Sequence, residues 1–199
     1  MKLYYKPGAC SLAPHIVASE AGVALELEKV DTAAGRTETG ADFAAINPKG
    51  YVPTLRTDDG QIVTEVAVVC QVVADQKPDA GLIPPAGAFE RYRTLEWLNF
   101  IATELHKGYS PMFRGSDEVK AMSWERVSAR LGVVDRVLAG HDYLQGQAFT
   151  VPDAYLFTVL NWTGRIGRDL APWPNIVAFM ARMRARPAVQ KAMKEEGLL

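Results

Sequence analysis

Between Gln76 and Ala88 the chain reads QKPDAGLIPPAGA, with three prolines and two glycines. That composition interrupts helix and strand alike and favours an exposed connection. The hydrophobic period differs on its two sides, and this constrains the fold most. Upstream, KLYYK is a short strand. SLAPHIVASEAG is helical, with Pro14 in the first turn and Gly22 placed to end it. ALELEKVD alternates apolar and charged residues at period two, the pattern of a half-buried strand. TETGADFAAINP is a weaker helical segment stopped at Asn47-Pro48, VPTLRTDDGQIVT is a hairpin around Asp58-Asp59-Gly60, and EVAVVCQVVADQ is a helix with one apolar face. The expected order is β-α-β-α-β-β-α.

Downstream the alternation disappears. FERYRTLEWLNFIATELHKGY repeats apolar residues at helical spacing through Tyr92, Leu95, Leu98, Ile101 and Leu105. SWERVSARLGVVDRVLAG, PDAYLFTVLNWTGRIG and PNIVAFMARMRARPAVQKAMKEE follow the same rule, the last broken at Pro187. The spacing therefore predicts an α/β domain over residues 1–80 and an all-helical domain over 87–199. Thr150-Val151-Pro152-Asp153 has the form of a capping box, a structural device expected to contribute about 0.5 to 2 kcal/mol. The staple partner of Phe149 would be the small Ala154, which leaves the hydrophobic half of the motif feeble.

With 199 residues and a net charge of −1, the chain shows no block of Lys or Arg, so nucleic acid and anionic membranes are poor partners. No apolar run approaches the ~20 residues that span a bilayer, and MKLYYKPGAC lacks the apolar core of a secretory signal. A soluble, cytoplasmic protein is expected. Two cysteines make no disulfide scaffold or zinc spacing, and His15, His106 and His141 are too scattered for a metal. A cysteine in a globular protein is usually a buried small hydrophobe, and Cys70 within VAVVCQVV fits that. Cys10 stands at a predicted helix start, where unsatisfied N–H groups and the dipole lower a thiol's pKa. Both a packed and a reactive thiol remain open there.

Taken together, MKLYYKPGACSLAPH, NPKGYVPTL, TEVAVV, EWLNFIATELHKGYSP and FTVPDAYLFTVL run through essentially the whole chain, which on these motifs resembles the beta-class glutathione S-transferases of bacteria. The resemblance implies a thioredoxin-like glutathione domain followed by an all-α domain. It also implies a homodimer with active sites between the two domains, glutathione as co-substrate and no further cofactor. It assigns Cys10 and His106 to the chemistry, and glutathione to Cys10, Val52, Pro53, Glu65, Val66, Asn99, His106 and Arg36. These roles make physical sense. A cis Pro53 would let the N–H and C=O of Val52 pair with the tripeptide like an added strand, although base rates alone read Val52-Pro53 as trans. Glu65 would hold the glutathione amino group; without the family it reads as a solvated helix-start carboxylate. Asn99 and His106 are seven residues apart, two helical turns, and so face one side. Tyr109, Met112, Phe113 and Trp162 are candidates for an apolar electrophile pocket, or for core.

Two positions depart from the family pattern. Val66 replaces the usual serine, threonine or glycine, so only a backbone N–H remains for the γ-glutamyl carboxylate. Gly35-Arg36 replaces a frequent lysine that meets the glycyl carboxylate, with Arg36 as its substitute. Other classes activate the sulfur with a tyrosine or serine; here Tyr5 reads as a strand aromatic and Ser11 as a helix cap. The function implied is transfer of glutathione to small hydrophobic electrophiles, with thiol–disulfide exchange through Cys10 as a second activity. The alternatives are a glutaredoxin-like reductase and a non-catalytic carrier or adaptor of the same fold.

Overall fold

β1 (Lys2–Tyr5) lies in the middle of a five-stranded sheet of order β3-β2-β1-β4-β5 in the computed structural model, which describes residues Met1–Leu199. It pairs parallel with β2 (Glu26–Asp31) and antiparallel with β4 (Thr54–Arg56), which continues antiparallel into β5 (Ile62–Thr64). The expected hairpin turns at Gly60, whose φ of 86° suits a residue without Cβ. Leu3, Ile16, Val17, Leu55, Val69 and Val73 are completely buried in this layer, between the sheet, α1 (Leu12–Ala21) and α3 (Val66–Ala74). Gly22 ends α1 in the left-handed region and donates to the Ala18 carbonyl, as its position predicts.

Three features depart from the sequence reading. β3 (Arg36–Thr37) adds an edge strand too short to show a period. The helix expected in TETGADFAAINP shrinks to α2 (Phe43–Ile46), because Asp42 caps it by accepting from Ala44 N. The largest departure is at the C-terminus. The chain divides into Met1–Ile83 with Arg186–Leu199, and Pro84–Ala185, so the expected helical domain over 87–199 loses its last helix to the first unit. Pro187 starts α10 (Pro187–Glu195), which buries Val189 and Ala192 and packs on α1. Polar ties hold the pair: the Arg186 guanidinium grips the Glu20 carboxylate with both Nε (2.5 Å) and Nη2 (2.8 Å). Such a bidentate fork is the stronger kind of ion pair.

The second unit is helical throughout. It comprises α4 (Phe89–Phe100), a π-helical turn over Ile101–His106, α5 (Lys107–Tyr109), a 3-10 turn over Ser110–Phe113, α6 (Asp117–Leu138), α7 (Val151–Leu160), α8 (Trp162–Arg165) and α9 (Pro174–Ala185). α6 begins before the predicted segment, at Ser116, whose hydroxyl accepts from Val119 N. All ten residues of α7 are buried, its polar Asp153 and Thr158 included. Its start carries the capping box, and Phe149 packs edge-on against Tyr143 at 6.0 Å. α9 is capped from α6: Asp135 Oδ1 accepts from the backbone N–H groups of Asn175 (2.8 Å) and Ile176 (3.0 Å). No helix is long and apolar enough to cross a membrane.

Candidate active site

In the first unit a loop and a helix start bring four of the expected residues together. Cys10 is half-buried, two residues before α1, and its Sγ donates to the Val52 carbonyl at 3.1 Å. That carbonyl belongs to a cis Val52-Pro53 peptide. The loop bearing it is built by Asn47, which is buried and donates from Nδ2 to both the Tyr51 carbonyl and Thr54 Oγ1 at 2.9 Å. Gly50, at a φ of 71°, turns the chain between them. Next comes Glu65, the one non-glycine residue with positive φ (φ 71°, ψ 124°), directly before the buried Val66 that opens α3. A side chain in that region carries backbone strain of about 1 to 3 kcal/mol, which clusters at functional sites.

Two partners of Glu65 escape the sequence reading, although both lie in the NPKGYVPTL motif. Lys49 Nζ lies 3.3 Å from Glu65 Oε1, and the Tyr51 hydroxyl donates a short hydrogen bond to the same oxygen. The carboxylate raises the pKa of both the Tyr51 phenol and the Lys49 ammonium through these bonds. The Cys10 loop also has an unforeseen support. Glu196 accepts from Gly8 N at 2.8 Å with one oxygen and faces His15 Nδ1 at 3.1 Å with the other, while Glu195 meets His15 Nε2 at 2.8 Å.

Other expectations change. Ser11 does not cap α1; its hydroxyl turns back to accept from Lys6 N (3.1 Å) and donate to the Lys6 carbonyl (3.2 Å), closing the loop ahead of Cys10. Arg36 lies on the edge strand β3, its Nη1 donating to the Gly40 carbonyl of its own loop, so no contact joins it to Cys10, Val52 or Glu65. Cys70 is fully buried, and desolvation pushes its thiol pKa far up, as its apolar surroundings predict.

In the second unit His106 ends the π-helical turn, and that turn breaks the two-turn relation with Asn99. Its bonds run i→i+5, so seven residues no longer complete two turns. Asn99 is exposed, its carbonyl accepting from Thr103 Oγ1. His106 Nδ1 lies 2.7 Å from the Tyr155 hydroxyl, and its ring meets Trp162 edge-on at 4.9 Å. Gly108 permits this backbone path, since a Cβ there would lie 2.6 Å from Val127 Cγ2. Of the four pocket candidates, three are core. Tyr109 is fully buried with its hydroxyl 2.7 Å from Thr163 Oγ1, and burial pushes its pKa up to about 12. Met112 and Trp162 are buried too; only Phe113 is exposed, its ring edge-on to Trp162 at 5.9 Å. No group of His, Cys, Asp and Glu side chains could hold a metal ion.

Comparison with known proteins matches this architecture from both ends. Residues 8–76 match the N-terminal domain of glutathione S-transferases and residues 99–187 match their C-terminal domain. The glutathione S-transferase GstA of Escherichia coli O157:H7 is 47% identical over 200 residues, covering 100% of both chains. A sphingomonad glutathione S-transferase complexed with glutathione superposes with a TM-score of 0.96 at 45% identity, again over 100% of both chains. A beta-class glutathione S-transferase of Sphingomonas chungbukensis gives 0.96 at 44% identity over the same coverage. The chain belongs to the glutathione S-transferase family. Within it, it is an enzyme of the bacterial beta class.

Proposed function

We propose that this transferase conjugates reduced glutathione to small hydrophobic electrophiles in the cytoplasm, as a homodimer. The observation that supports this most is the convergence of a half-buried Cys10 thiol, the Val52 carbonyl of a cis peptide and a strained Glu65 at the start of α3. Glutathione pairs its cysteinyl backbone with Val52 as an added strand. Its ammonium meets Glu65, and its γ-glutamyl carboxylate meets the N-terminal amides of α3, a nine-residue helix. Val66 offers only its N–H there. The family resemblance assigns His106 to the glutathione sulfur. The glutathione thiol loses its proton to solvent, and the thiolate forms a C–S bond as the electrophile's leaving group departs with its electron pair. Phe113 is the pocket candidate with an accessible face. The homodimer rests on the family resemblance, and Phe89 and Tyr92 on α4, 66% and 61% exposed, are apolar side chains that such an interface would cover.

Initial rates with reduced glutathione and several activated aryl halides test the proposal. Saturable, glutathione-dependent turnover is expected. Retention on immobilised glutathione without turnover of any electrophile would instead indicate a carrier.

The position of Cys10 supports a second activity, thiol–disulfide exchange. Its thiolate attacks one sulfur of oxidised glutathione, a mixed disulfide forms, and the other half departs as a glutathione thiolate. Incubation with oxidised glutathione should add one glutathione mass per chain, mapped to Cys10 by peptide digestion and removed by dithiothreitol. A label on Cys70, or none on folded protein with Cys10 reduced, would make Cys10 a packed residue.

A further inference from the structure

We infer that Tyr155 is a positioning residue for His106: its phenol donates to Nδ1 and holds the imidazole in the neutral tautomer that carries the proton on Nε2. The inference rests on the assignment of His106 to the glutathione sulfur proposed above. Tyr155 is 2% exposed, and its hydroxyl lies 2.7 Å from Nδ1, the distance of a well-formed hydrogen bond. Acidity sets the direction. A phenol ionises near pH ~10 and an imidazolium near ~6.5, so the phenol is the better donor and the ring nitrogen the better acceptor.

The pair is held rigidly. Tyr155 stands on α7, every residue of which is buried and whose start is pinned by the Thr150–Asp153 box. The His106 ring meets the Tyr155 ring at 89° with centroids 5.8 Å apart, and Trp162 at 68° and 4.9 Å. Behind His106, Gly108 leaves no room for a side chain, since a Cβ there would lie 2.6 Å from Val127 Cγ2 on α6. A ring fixed on these sides has its tautomer set by the group on its other nitrogen.

The tautomer decides the chemistry. With hydrogen on Nε2, His106 meets the sulfur as a hydrogen-bond donor and stabilises the thiolate. A general base needs the opposite arrangement, with Nδ1–H donating to the Tyr155 oxygen and a lone pair on Nε2. The test combines ring nitrogen NMR of the ¹⁵N-labelled, glutathione-loaded enzyme with the ultraviolet titration of the bound thiolate. It compares wild type, Tyr155→Phe, His106→Ala and the double variant.

The wild type should show the Nε2–H tautomer. Tyr155→Phe should raise the pH at which the bound thiol ionises and lower kcat/KM about three- to tenfold, the worth of one hydrogen bond, with KM for glutathione little changed. The double variant should equal His106→Ala, because one residue acts through the other. An Nδ1–H tautomer, additive losses, or a wild-type-like Tyr155→Phe beside an impaired His106→Ala would overturn this inference alone. A fully active His106→Ala would overturn the assignment of His106 and this inference with it. Should Tyr155→Phe not fold, the nitrogen shifts of the wild type decide the tautomer unaided.

Discussion

Asp153→Ala should lower the unfolding free energy by about 3 to 5 kcal/mol, the loss expected when a buried, fully engaged carboxylate is removed. Asp153 is completely buried. Its Oδ2 accepts from Thr150 N at 2.8 Å and Thr150 Oγ1 at 2.9 Å, and its Oδ1 accepts from Leu144 N at 2.9 Å. Alanine leaves all three donors without that partner and opens a small void beneath a helix that is core along its whole length. At ~2–4 °C per kcal/mol for a chain of this size, the thermal midpoint should fall by roughly 6–20 °C. Asp153→Asn, which keeps an acceptor, should lose less. Turnover per folded molecule at low temperature should hold in both. An unchanged melting curve with lost turnover would move Asp153 from scaffold to chemistry.

Glu65→Gly should move stability and binding in opposite directions. Glycine is at ease at φ 71°, so the substitution relieves strain of about 1 to 3 kcal/mol and returns about 0.5 to 1 kcal/mol to the flexible unfolded chain. The Glu65 carboxylate meets Lys49 and Tyr51 at the exposed surface, where such pairs contribute little to stability. The melting point should therefore stay level or rise by a few degrees. Glutathione binding loses its ammonium partner, a charge-assisted bond worth about 1.5 to 3 kcal/mol, so KM for glutathione should rise roughly ten- to a hundredfold. A variant that loses stability and retains its KM would make Glu65 an ordinary helix-start residue.

Much of this was legible because period-two and helical patterns, turn glycines and capping residues are local signals. The sheet, the hairpin at Gly60, the helical second half and the buried Cys70 follow from them. The capping box was legible too, but the bond from Leu144 N to Asp153 was not, since it joins a loop nine residues upstream that no local pattern links to the box. The same limit hid the homes of Arg186, Glu195 and Glu196. A helix after Pro187 looks like any other, and only its partners on α1 and at Gly8 show which unit it joins. Tyr109, Met112 and Trp162 illustrate a second limit, for apolar residues near a site carry no mark that separates pocket lining from core. The π-helical turn is a third: the sequence IATELH has good helix formers throughout, and nothing in its spacing announces the wider turn that rotates His106 away from the side shared with Asn99. The glutathione roles proposed for Val52, Pro53 and Glu65 rest on family resemblance, since a cis bond and a positive φ leave no composition signal.

Calorimetric titration of reduced glutathione into the wild-type protein and into Glu65→Ala, both checked for folding, tests the glutathione site most directly. One site per chain in the wild type and at least about tenfold weaker binding in the variant are expected, from the loss of one charge-assisted hydrogen bond. Equal affinity in the two proteins, or no binding heat in a folded wild type at several temperatures, would contradict the placement of glutathione at Cys10, Val52 and Glu65.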